Sequence, residues 1–545
     1  MESRSNTPAM KNLPTACRLP RVILGLALLT ASAGAQNPCQ RQKLQAQGAI
    51  NGDFLGKSVA LEGSTAVVGM YALLNGANDG RAYVYEQQGS TWVETAQLVQ
   101  SDASAGSDEF GNSVGVSDDV IVVGAEFNDN GLGNNAGAAY VFEKIGGVWT
   151  EVAKLTASDG AGERHYGENV AVSNGTIVVG QRENGTLGNN AGAAYVYEKV
   201  GGVWTETAKL LASDGDKNAL FGDTVEIEDD TIVVGSYKAD AGGANGPGAV
   251  YVFQDLGGTW TEVQKLSAGD LAGGGFGRSV DVAGDTIVVG AWKDSTQVNE
   301  GGSAYVFEDQ DGVWVEVAKL LPSLWGDGDW FGHSVGVSGD SIVVSAHKND
   351  LAGFESGGAF LFQDAGAGWN EVAFLQSNDI ASLDQFGQWL AIDGANLVLG
   401  APFESNNRGA GYVFEVDCTS VDGSFTRYGD GVGGANIGDL DSDDVPNPGT
   451  LVNFDVTGIP NGTNGFLWYS LSQTSVPFKG GTILSDFSTA LRITPITLSG
   501  GATQVPLNIP VTTAGLVVHI QAGVFDATQT QGIALTNGLT MTVGS

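Results

Sequence analysis

The stretch "FGNSVGVSDDVIVVGA", residues 110–125, begins the unit that repeats along most of this chain. It opens with an aromatic residue and a glycine, and small or polar residues then alternate with valine. A turn is expected at Asp118 and Asp119, and an apolar segment follows up to a second glycine. Runs of β-branched residues separated by Gly and Asp turns are typical of β-hairpins. An isolated hairpin is only marginally stable in water, so this one requires neighbours.

The same pattern recurs seven times along the 545 residues. Its first glycine returns at intervals of 55 or 56 residues, at Gly56, Gly111, Gly167, Gly222, Gly277, Gly332 and Gly387. Six of these glycines follow Phe or Tyr, and the first follows Leu55. A fixed period over most of a chain indicates a repeat architecture in which each unit is one supersecondary element.

Each period contains four predicted strands, called A to D here. In residues 110–155 they are "SVGV", "VIVVGA", "AAYVFEK" and "VWTEVAKL", and turns or loops separate them. Seven such units without helical periodicity predict an all-β fold, a seven-bladed β-propeller of four-stranded blades. The last unit lacks strand D, and residues 40–46 match that strand, so we expect an N-terminal strand to close the ring.

Two cysteines flank the missing hairpin of the last unit. Aligning the repeats places Cys39 and Cys418 on its two sides, and a bond between them would join the ends of the ring. An even number of cysteines in an oxidising compartment favours a disulfide, and the alternative is two buried free thiols.

Residues 1–35 have the features of a secretory signal peptide: basic residues, the apolar run "VILGLALLTASA" and the small residues "AGA" at 33–35. No later segment is long and apolar enough for a transmembrane helix. We therefore expect an exported, monomeric protein that is secreted or held at the cell surface. The net charge of −37 argues against a nucleic-acid partner, because such a surface repels phosphates.

The repeated pattern "FGxSVxVxxDxIVVGA…GAAYVFE…W" resembles the FG-GAP repeat, the blade of the integrin α-chain propeller, in its bacterial secreted form. The resemblance covers about residues 40–418 and implies a seven-bladed propeller with a role in adhesion or binding rather than catalysis. Calcium-binding blades of that family carry a long Asp-rich loop between strands A and B. Here the turn is as short as "SDD" or "SGD", too short to supply the oxygen ligands of calcium, so we expect no calcium in the blades.

Binding residues are expected on the long, variable B–C and D–A loops, since variable loops on a rigid scaffold commonly carry function. The aromatic candidates there are Phe127, Tyr237, Trp292, Trp325 and Trp330. They suit stacking on sugars or clamping of peptides, and the alternative is that they pack against neighbouring loops.

Apparent catalytic motifs are explained by the repeat. "GNSVG" and "GHSVG" match G-x-S-x-G, but their serines begin β-strands instead of a strand–turn–helix elbow. The four histidines show no metal-ligand spacing.

The chain changes character after the repeats. We divide it into the signal peptide (1–35), the propeller (36–420), a Gly- and Asp-rich linker (421–449) and a C-terminal β-sandwich (450–545), the last predicted from alternating strands. Residues 450–545 resemble a C-terminal module of secreted proteins from planctomycete-like bacteria. In the linker, the alternate spacing of Asp439, Asp441, Asp443 and Asp444 suits Ca²⁺, although a solvated linker is the favoured interpretation. No other cofactor is expected.

The sequence therefore predicts a non-catalytic binding or adhesion protein whose partner is an extracellular protein or polysaccharide. Two alternatives stay open: a carbohydrate-active enzyme on a propeller scaffold, since fold alone does not decide function, and a passive component of the cell envelope.

Overall fold

The computed structural model describes residues 39–416, except 72–79, 103–107, 240–245, 271–273, 365, 367 and 378. Beyond residue 416 it describes only the backbone of strands between residues 424 and 542. No helix in these described parts is long and apolar enough to cross a membrane.

Seven antiparallel four-stranded sheets form the blades. The N-terminal strand is β1 (Cys39–Leu44). The first three blades comprise β2 (Ser58–Glu62), β3 (Thr65–Met70), β4 (Arg81–Gln88), β5 (Thr91–Leu98); β6 (Phe110–Ser117), β7 (Val120–Ala125), β8 (Ala138–Ile145), β9 (Val148–Leu155); and β10 (Val170–Ser173), β11 (Thr176–Gln181), β12 (Ala193–Val200), β13 (Val203–Leu210). Blades four to six comprise β14 (Thr224–Glu228), β15 (Thr231–Ser236), β16 (Ala249–Asp255), β17 (Trp260–Leu266); β18 (Phe276–Ala283), β19 (Thr286–Ala291), β20 (Ser303–Asp309), β21 (Trp314–Leu320); and β22 (Val335–Ser338), β23 (Ser341–Ser345), β24 (Ala359–Asp364), β25 (Trp369–Leu375).

Blade seven joins the two ends of the repeat region. It comprises β26 (Leu390–Asp393), β27 (Asn396–Ala401) and β28 (Ala410–Glu415), with one helical turn, α1 (Glu404–Asn407), between the last two. Strand β1 supplies its outer strand and pairs antiparallel with β28, from Cys39 opposite Glu415 to Leu44 opposite Gly411. The predicted closure by an N-terminal strand is confirmed. Cys418 lies outside the described residues, so its bond with Cys39 stays a prediction.

The hydrophobic core is divided among the seven joints between blades. Seven clusters of buried residues each combine side chains of two neighbouring blades. Strand B explains why: in β7, Ile121, Val122 and Val123 are fully buried, so both faces of the strand need a partner blade. At the closing joint, Leu44 and Val413 of blade seven pack with Val68 and Trp92 of blade one.

The aromatic–glycine pair is the close contact at six joints, and Leu55–Gly56 takes its place at the seventh. Phe110 is fully buried and lies edge-on to Tyr140, with ring centroids 5.5 Å apart. Gly111 has φ = 91°, and a Cβ atom there would lie 2.3 Å from the carbonyl oxygen of Arg81 in blade one. Only glycine fits this backbone and this distance. Each pair of this kind therefore allows one blade to pack closely against its neighbour.

Polar contacts also pass from blade to blade near the A–B turns. In six blades the side chain of the last residue of strand A accepts a hydrogen bond from a backbone N–H in the A–B turn of the next blade. These residues are Glu62, Ser117, Ser173, Glu228, Ser338 and Asp393. The contact from Gly63 N–H to Asp393 joins blade one to blade seven and so belongs to the closure.

A Tyr–Asp–Lys group supports five joints on the outer side. In the joint between blades one and two, Asp102 accepts hydrogen bonds from Tyr140 at 2.6 Å and from Lys154 at 2.7 Å. Equivalent aspartates lie at Asp159, Asp214, Asp270 and Asp379. In the last of these Lys43 of β1 contacts both Asp379 and Glu404, which ties the N-terminal strand to the preceding loop.

The described C-terminal strands are β29 (Ser424–Tyr428), β30 (Asp439–Asp441), β31 (Leu451–Thr457), β32 (Asn464–Ser470), β33 (Val476–Phe478), β34 (Gly481–Ile483), β35 (Arg492–Thr497), β36 (Ala502–Asn508), β37 (Val517–Phe525), β38 (Ile533–Leu535) and β39 (Gly538–Thr542). They pair antiparallel as β29–β39–β37–β32–β35 with β38 beside β37, as β30–β31–β36, and as β33–β34. Two strands thus fall in the stretch expected to be a linker. The boundaries and the β-sandwich stay predictions.

The closure of the ring can be tested with Leu44→Ala. Leu44 is 1% exposed in the closing joint, so we expect the substitution to lower the free energy of unfolding by about 2–4 kcal/mol. Chemical denaturation followed by tryptophan fluorescence measures this. Leu155→Ala, the equivalent buried leucine of blade two, is the matched control and should cost a similar amount. An unchanged midpoint for Leu44→Ala would show that β1 does not close the ring.

Candidate functional site

The seven blades present their first strands to a common axis, and the D–A connections and B–C loops lie at one end of it. The residue after the aromatic–glycine pair faces this end in each blade. It forms the first layer of what we call the axial mouth: Lys57, Asn112, Glu168, Asp223, Arg278, His333 and Gln388.

A second layer comes from strand B, two residues beyond its glycine (Ser345 in blade six). It consists of Tyr71, Glu126, Arg182, Tyr237, Trp292, His347 and Pro402. A third layer is the residue before the aromatic–glycine pair: Phe54, Glu109, His165, Leu220, Gly275, Trp330 and Gln385.

The third layer has an unusual backbone. All seven of its residues have φ between 52° and 69°, the left-handed region, and six of the seven are not glycine. An L-residue in this region costs of order 1 kcal/mol, so the fold holds six side chains at a small energetic cost each. Strain of this kind concentrates where a scaffold positions side chains for function.

The frame around the mouth repeats, but the mouth does not. The glycines and the buried valines of strand B recur from blade to blade, whereas the first layer contains seven different residue types, and so does the third. A propeller with nearly equal blades therefore has an asymmetric mouth.

Blades two to four form the acidic side of the mouth. Glu126 accepts a hydrogen bond from Asn112 Nδ2 at 2.8 Å, and its other oxygen lies 3.3 Å from His165 Nδ1. Arg182 forms ion pairs with Glu168 and, at 3.5 Å, with Asp223. These contacts connect neighbouring blades, so the acidic side is a continuous network.

Blades five and six form the aromatic side. The rings of Trp292 and Trp330 meet edge to face with centroids 4.4 Å apart. Lys348 Nζ lies 3.5 Å from the Trp330 centroid, and Lys293 Nζ lies 4.4 Å from the Trp292 centroid. Such cation–π contacts hold a flat apolar surface in one orientation.

Two histidines pack beneath this aromatic side, with ring centroids 4.1 Å apart. Burial lowers the pKa of His333 well below its usual range and lowers that of His347 to about 3. Neighbouring cations act in the same direction, so both rings are neutral at pH 7. Within the described residues, no group of three or more His, Cys, Asp or Glu side chains is arranged to hold a metal ion.

Carboxyl groups on the acidic side are partly neutralised by burial. Burial, and then the charge of Glu126, raise the pKa of Glu109 to about 7. Burial also raises the pKa of Glu168 well above its usual range, with Asp223 and Glu126 adding to the effect. Near neutral pH Glu109 can therefore both donate and accept a proton.

Below the mouth, the starts of the first strands of all seven blades enclose a cavity of about 70 Å³. Its wall is mostly hydroxyl and apolar side chains, and Trp389 takes the position that Ser or another small polar residue has in the other blades. A space of this size admits only a few water molecules. The cavity is therefore too small to hold an organic ligand.

The aromatic residues predicted from the sequence are all partly buried. Trp292 and Trp330 meet in the mouth, and Phe127 packs edge-on against His165, with centroids 4.7 Å apart. Tyr237 lies in the second layer beneath Lys238, and Trp325 lies in the D–A loop before blade six. Asp439 and Asp441 lie in β30, opposite Thr457 and Asp455, while Asp443 and Asp444 lie outside the described residues.

Sequence reasoning missed the charged half of the mouth, above all Lys57, Glu109, Glu126 and Glu168. A signal for it was available, because the positions on either side of the repeated pair change in each blade while their surroundings do not.

Comparison with family models matches the FG-GAP repeat to this chain seven times, at residues 39–85, 92–142, 149–197, 204–253, 260–307, 314–362 and 369–414. No curated protein matches the chain.

Solved structures show distant similarity. A protein of Lactobacillus plantarum is 13% identical, covering 60% of this chain and 85% of its own, with a TM-score of 0.38. Sqt1 of Chaetomium thermophilum is 12% identical, covering 66% and 82%, with a TM-score of 0.40. The β-propeller domain of the Trilobed protease from Pyrococcus furiosus is 8% identical, covering 65% and 90%, with a TM-score of 0.39.

The raised pKa of Glu109 predicts a pH-dependent cost in stability. Below its ordinary value of 4.5 the group is protonated in both the folded and the unfolded chain, so it costs nothing. As the pH rises to about 7 the unfolded chain ionises first, and the folded state loses stability. Glu109→Gln should therefore raise the free energy of unfolding at pH 8 by about 1 kcal/mol, after allowance for partial exposure, and leave it unchanged at pH 4.

Denaturant unfolding of both proteins from pH 4 to pH 8 measures this difference. Glu163→Gln, an exposed residue of the next D–A loop, removes one charge from the same end and serves as the control. A constant difference between Glu109→Gln and the unmodified protein at all pH values would contradict the assignment.

Proposed function

Because this chain belongs to the FG-GAP repeat family, we propose that it is a secreted, non-catalytic recognition protein that binds an extracellular glycan or protein segment in the axial mouth. The propeller is the scaffold, and the mouth is the binding surface. Residues 1–35, with the features of an export signal, support the extracellular location.

One observation carries the proposal: the repeats differ in the mouth, while the frame that holds it is nearly the same in every blade. If the three layers served only packing, each position could hold the same residue in every blade, as the buried glycines and valines do. Instead the first and third layers each carry seven residue types, six of them in the third layer on strained backbone. Such a surface can match a ligand that has no sevenfold symmetry.

The chemistry of the mouth favours a sugar as that ligand. The Trp292–Trp330 pair offers partly buried ring surface, which suits the apolar face of a pyranose. Across the axis, Asn112, Glu109 and Glu126 offer hydrogen-bond donors and acceptors for hydroxyl groups. A few placed polar groups beside aromatic surface are typical of small-ligand sites. A peptide with an aromatic side chain would use the same surface.

Trp292→Ala tests this proposal. Loss of one stacking surface should weaken binding to a ligand found on a glycan and matrix-protein array about ten- to hundredfold, measured by titration calorimetry. Phe354→Ala is the matched control, since Phe354 is 62% exposed in the B–C loop of blade six, outside the three layers. Equal binding by Trp292→Ala and the unmodified protein would place recognition elsewhere, and an array without any bound ligand would favour a passive envelope role.

A second candidate is glycoside hydrolysis, and Glu109 is the observation that favours it. Its pKa of about 7 suits a general acid, and the carboxylate of Glu126 is near enough to raise that pKa. Glycoside hydrolases commonly use two such carboxyl groups.

Mass spectrometry of oligosaccharides incubated with the protein decides between the two functions. If the protein is a hydrolase, cleaved products should form, and Glu109→Gln should lower their rate at least a hundredfold while binding persists. Bound oligosaccharides that stay intact would instead support recognition alone.

A further inference from the structure

Lys57 occupies the first layer of the mouth in blade one. Its ammonium group lies between two aromatic rings, with Nζ 5.5 Å from the centroid of Tyr71 and 5.3 Å from that of Trp389. Lys57 is half-buried and not fully enclosed, so a bound molecule could reach it. Tyr71 belongs to blade one and Trp389 to blade seven, so this lysine stands at the closing joint.

No carboxylate among the described residues lies within ion-pair distance of Lys57, and none accepts a hydrogen bond from it. Both arginines of the mouth are paired with carboxylates, and so are two of the three lysines that follow its second layer, the third being Lys238 over the ring of Tyr237. Arg182 and Arg278 contact Asp223, Lys293 lies 3.8 Å from Glu300, and Lys348 lies 3.6 Å from Glu355. Because the chain has 62 acidic and only 25 basic residues, an inward-facing lysine without an acidic partner is notable.

This arrangement has a physical cost. Removing an ammonium group from water is unfavourable unless a partner compensates, and cation–π contacts compensate in part. Burial lowers the pKa of Lys57, and this effect outweighs the charge of Glu126, which raises it. Arg278 adds to the lowering, and Glu109 and Glu168 oppose it. A bound anion would supply the missing partner.

We propose that Lys57 binds an oxyanion, a carboxylate or sulfate group, of an acidic sugar held in the axial mouth. The inference rests on the proposed recognition of a glycan and names its class. The sugar ring would lie toward the aromatic side, with its anionic group over the axis at Lys57. Arg278, whose guanidinium carbon lies 5.6 Å from the centroid of Trp389, adds positive charge on the same side.

The carboxyl groups on the acidic side of the mouth do not exclude such a ligand. Glu109 is about half protonated near pH 7 and can then donate a hydrogen bond, while Glu126 is engaged with Asn112 and His165. The net charge of −37 repels a long polyanion, but salt screens this repulsion beyond about 8 Å at physiological ionic strength. A short oligosaccharide or a chain end is therefore the better probe.

The test is titration calorimetry of the full chain with three probes at about 150 mM salt, near physiological ionic strength. The probes are a uronic-acid oligosaccharide, its carboxyl-reduced neutral counterpart and a sulfated neutral oligosaccharide of equal length. We expect one of the two anionic probes to bind roughly tenfold or more tightly than the neutral one, as one charge-assisted contact would give. The probe that binds more tightly identifies the oxyanion as a carboxylate or a sulfate.

Lys57→Met keeps the aliphatic chain and removes the charge. It should abolish the preference for the anionic probe and leave the weaker binding of the neutral probe unchanged. Lys199→Met, a lysine paired with Glu143 on the outer part of the propeller, should keep the preference. Thermal unfolding verifies that the variants fold, and removal of an unpaired charge should not destabilise the protein.

Preference for an anionic probe that survives in Lys57→Met would overturn the inference, and so would equal binding of all three probes by the unmodified protein. In the second case binding of sugar would still support the proposed function. Should Lys57→Met fail to fold, the comparison of the three probes on the unmodified protein decides the question. No binding of any probe, alongside a protein ligand on the array, would remove the inference and leave recognition in place.

Discussion

The joint between neighbouring blades is the contact on which the rest of this structure depends. Strand B is buried on both faces, so no blade can bury its own core, and each core cluster belongs to two blades. The aromatic–glycine pair makes the approach close enough, because a side chain at Gly111 would collide with the carbonyl oxygen of Arg81. Seven such joints must close on one another, and strand β1 completes blade seven by pairing with β28, which places Leu44 in the last joint.

This constraint also explains where variation is allowed. Each joint fixes the glycine, the large apolar or aromatic residue before it and the apolar strand behind them, but leaves the side chains immediately before and after the pair directed to the axis. Those positions are tied to rigid backbone and are free to change type. A repeated joint thus gives a repeated frame with seven independent positions per layer, from Lys57 and Glu109 on one side to Trp330 and His333 on another.

The charges of the mouth show the result of that freedom. Arg182 connects Glu168 with Asp223, and Arg278 shares Asp223, so four groups on three blades stabilise one another. Lys57, Glu109 and the Trp292–Trp330 pair are less completely satisfied: Lys57 has an ammonium without an acidic partner, Glu109 has a carboxyl with a raised pKa, and the two rings are partly buried. All of these groups belong to the axial mouth, on different sides of the axis.

The sequence by itself determined the propeller, its seven blades, the four strands of each blade and the closure by residues near 40–46. These features follow from local pattern and period. Runs of β-branched residues and Gly turns predict the strands, and their recurrence every 55 or 56 residues predicts seven equivalent blades. It also indicated Trp292 and Trp330 as loop aromatics. Only the tertiary structure brought Lys57, Glu109, Glu126 and Glu168 to one place, since residues about 55 positions apart become neighbours only when the ring is closed. Their pairing, burial and pKa values depend on distances across the axis, which no local pattern in the chain encodes.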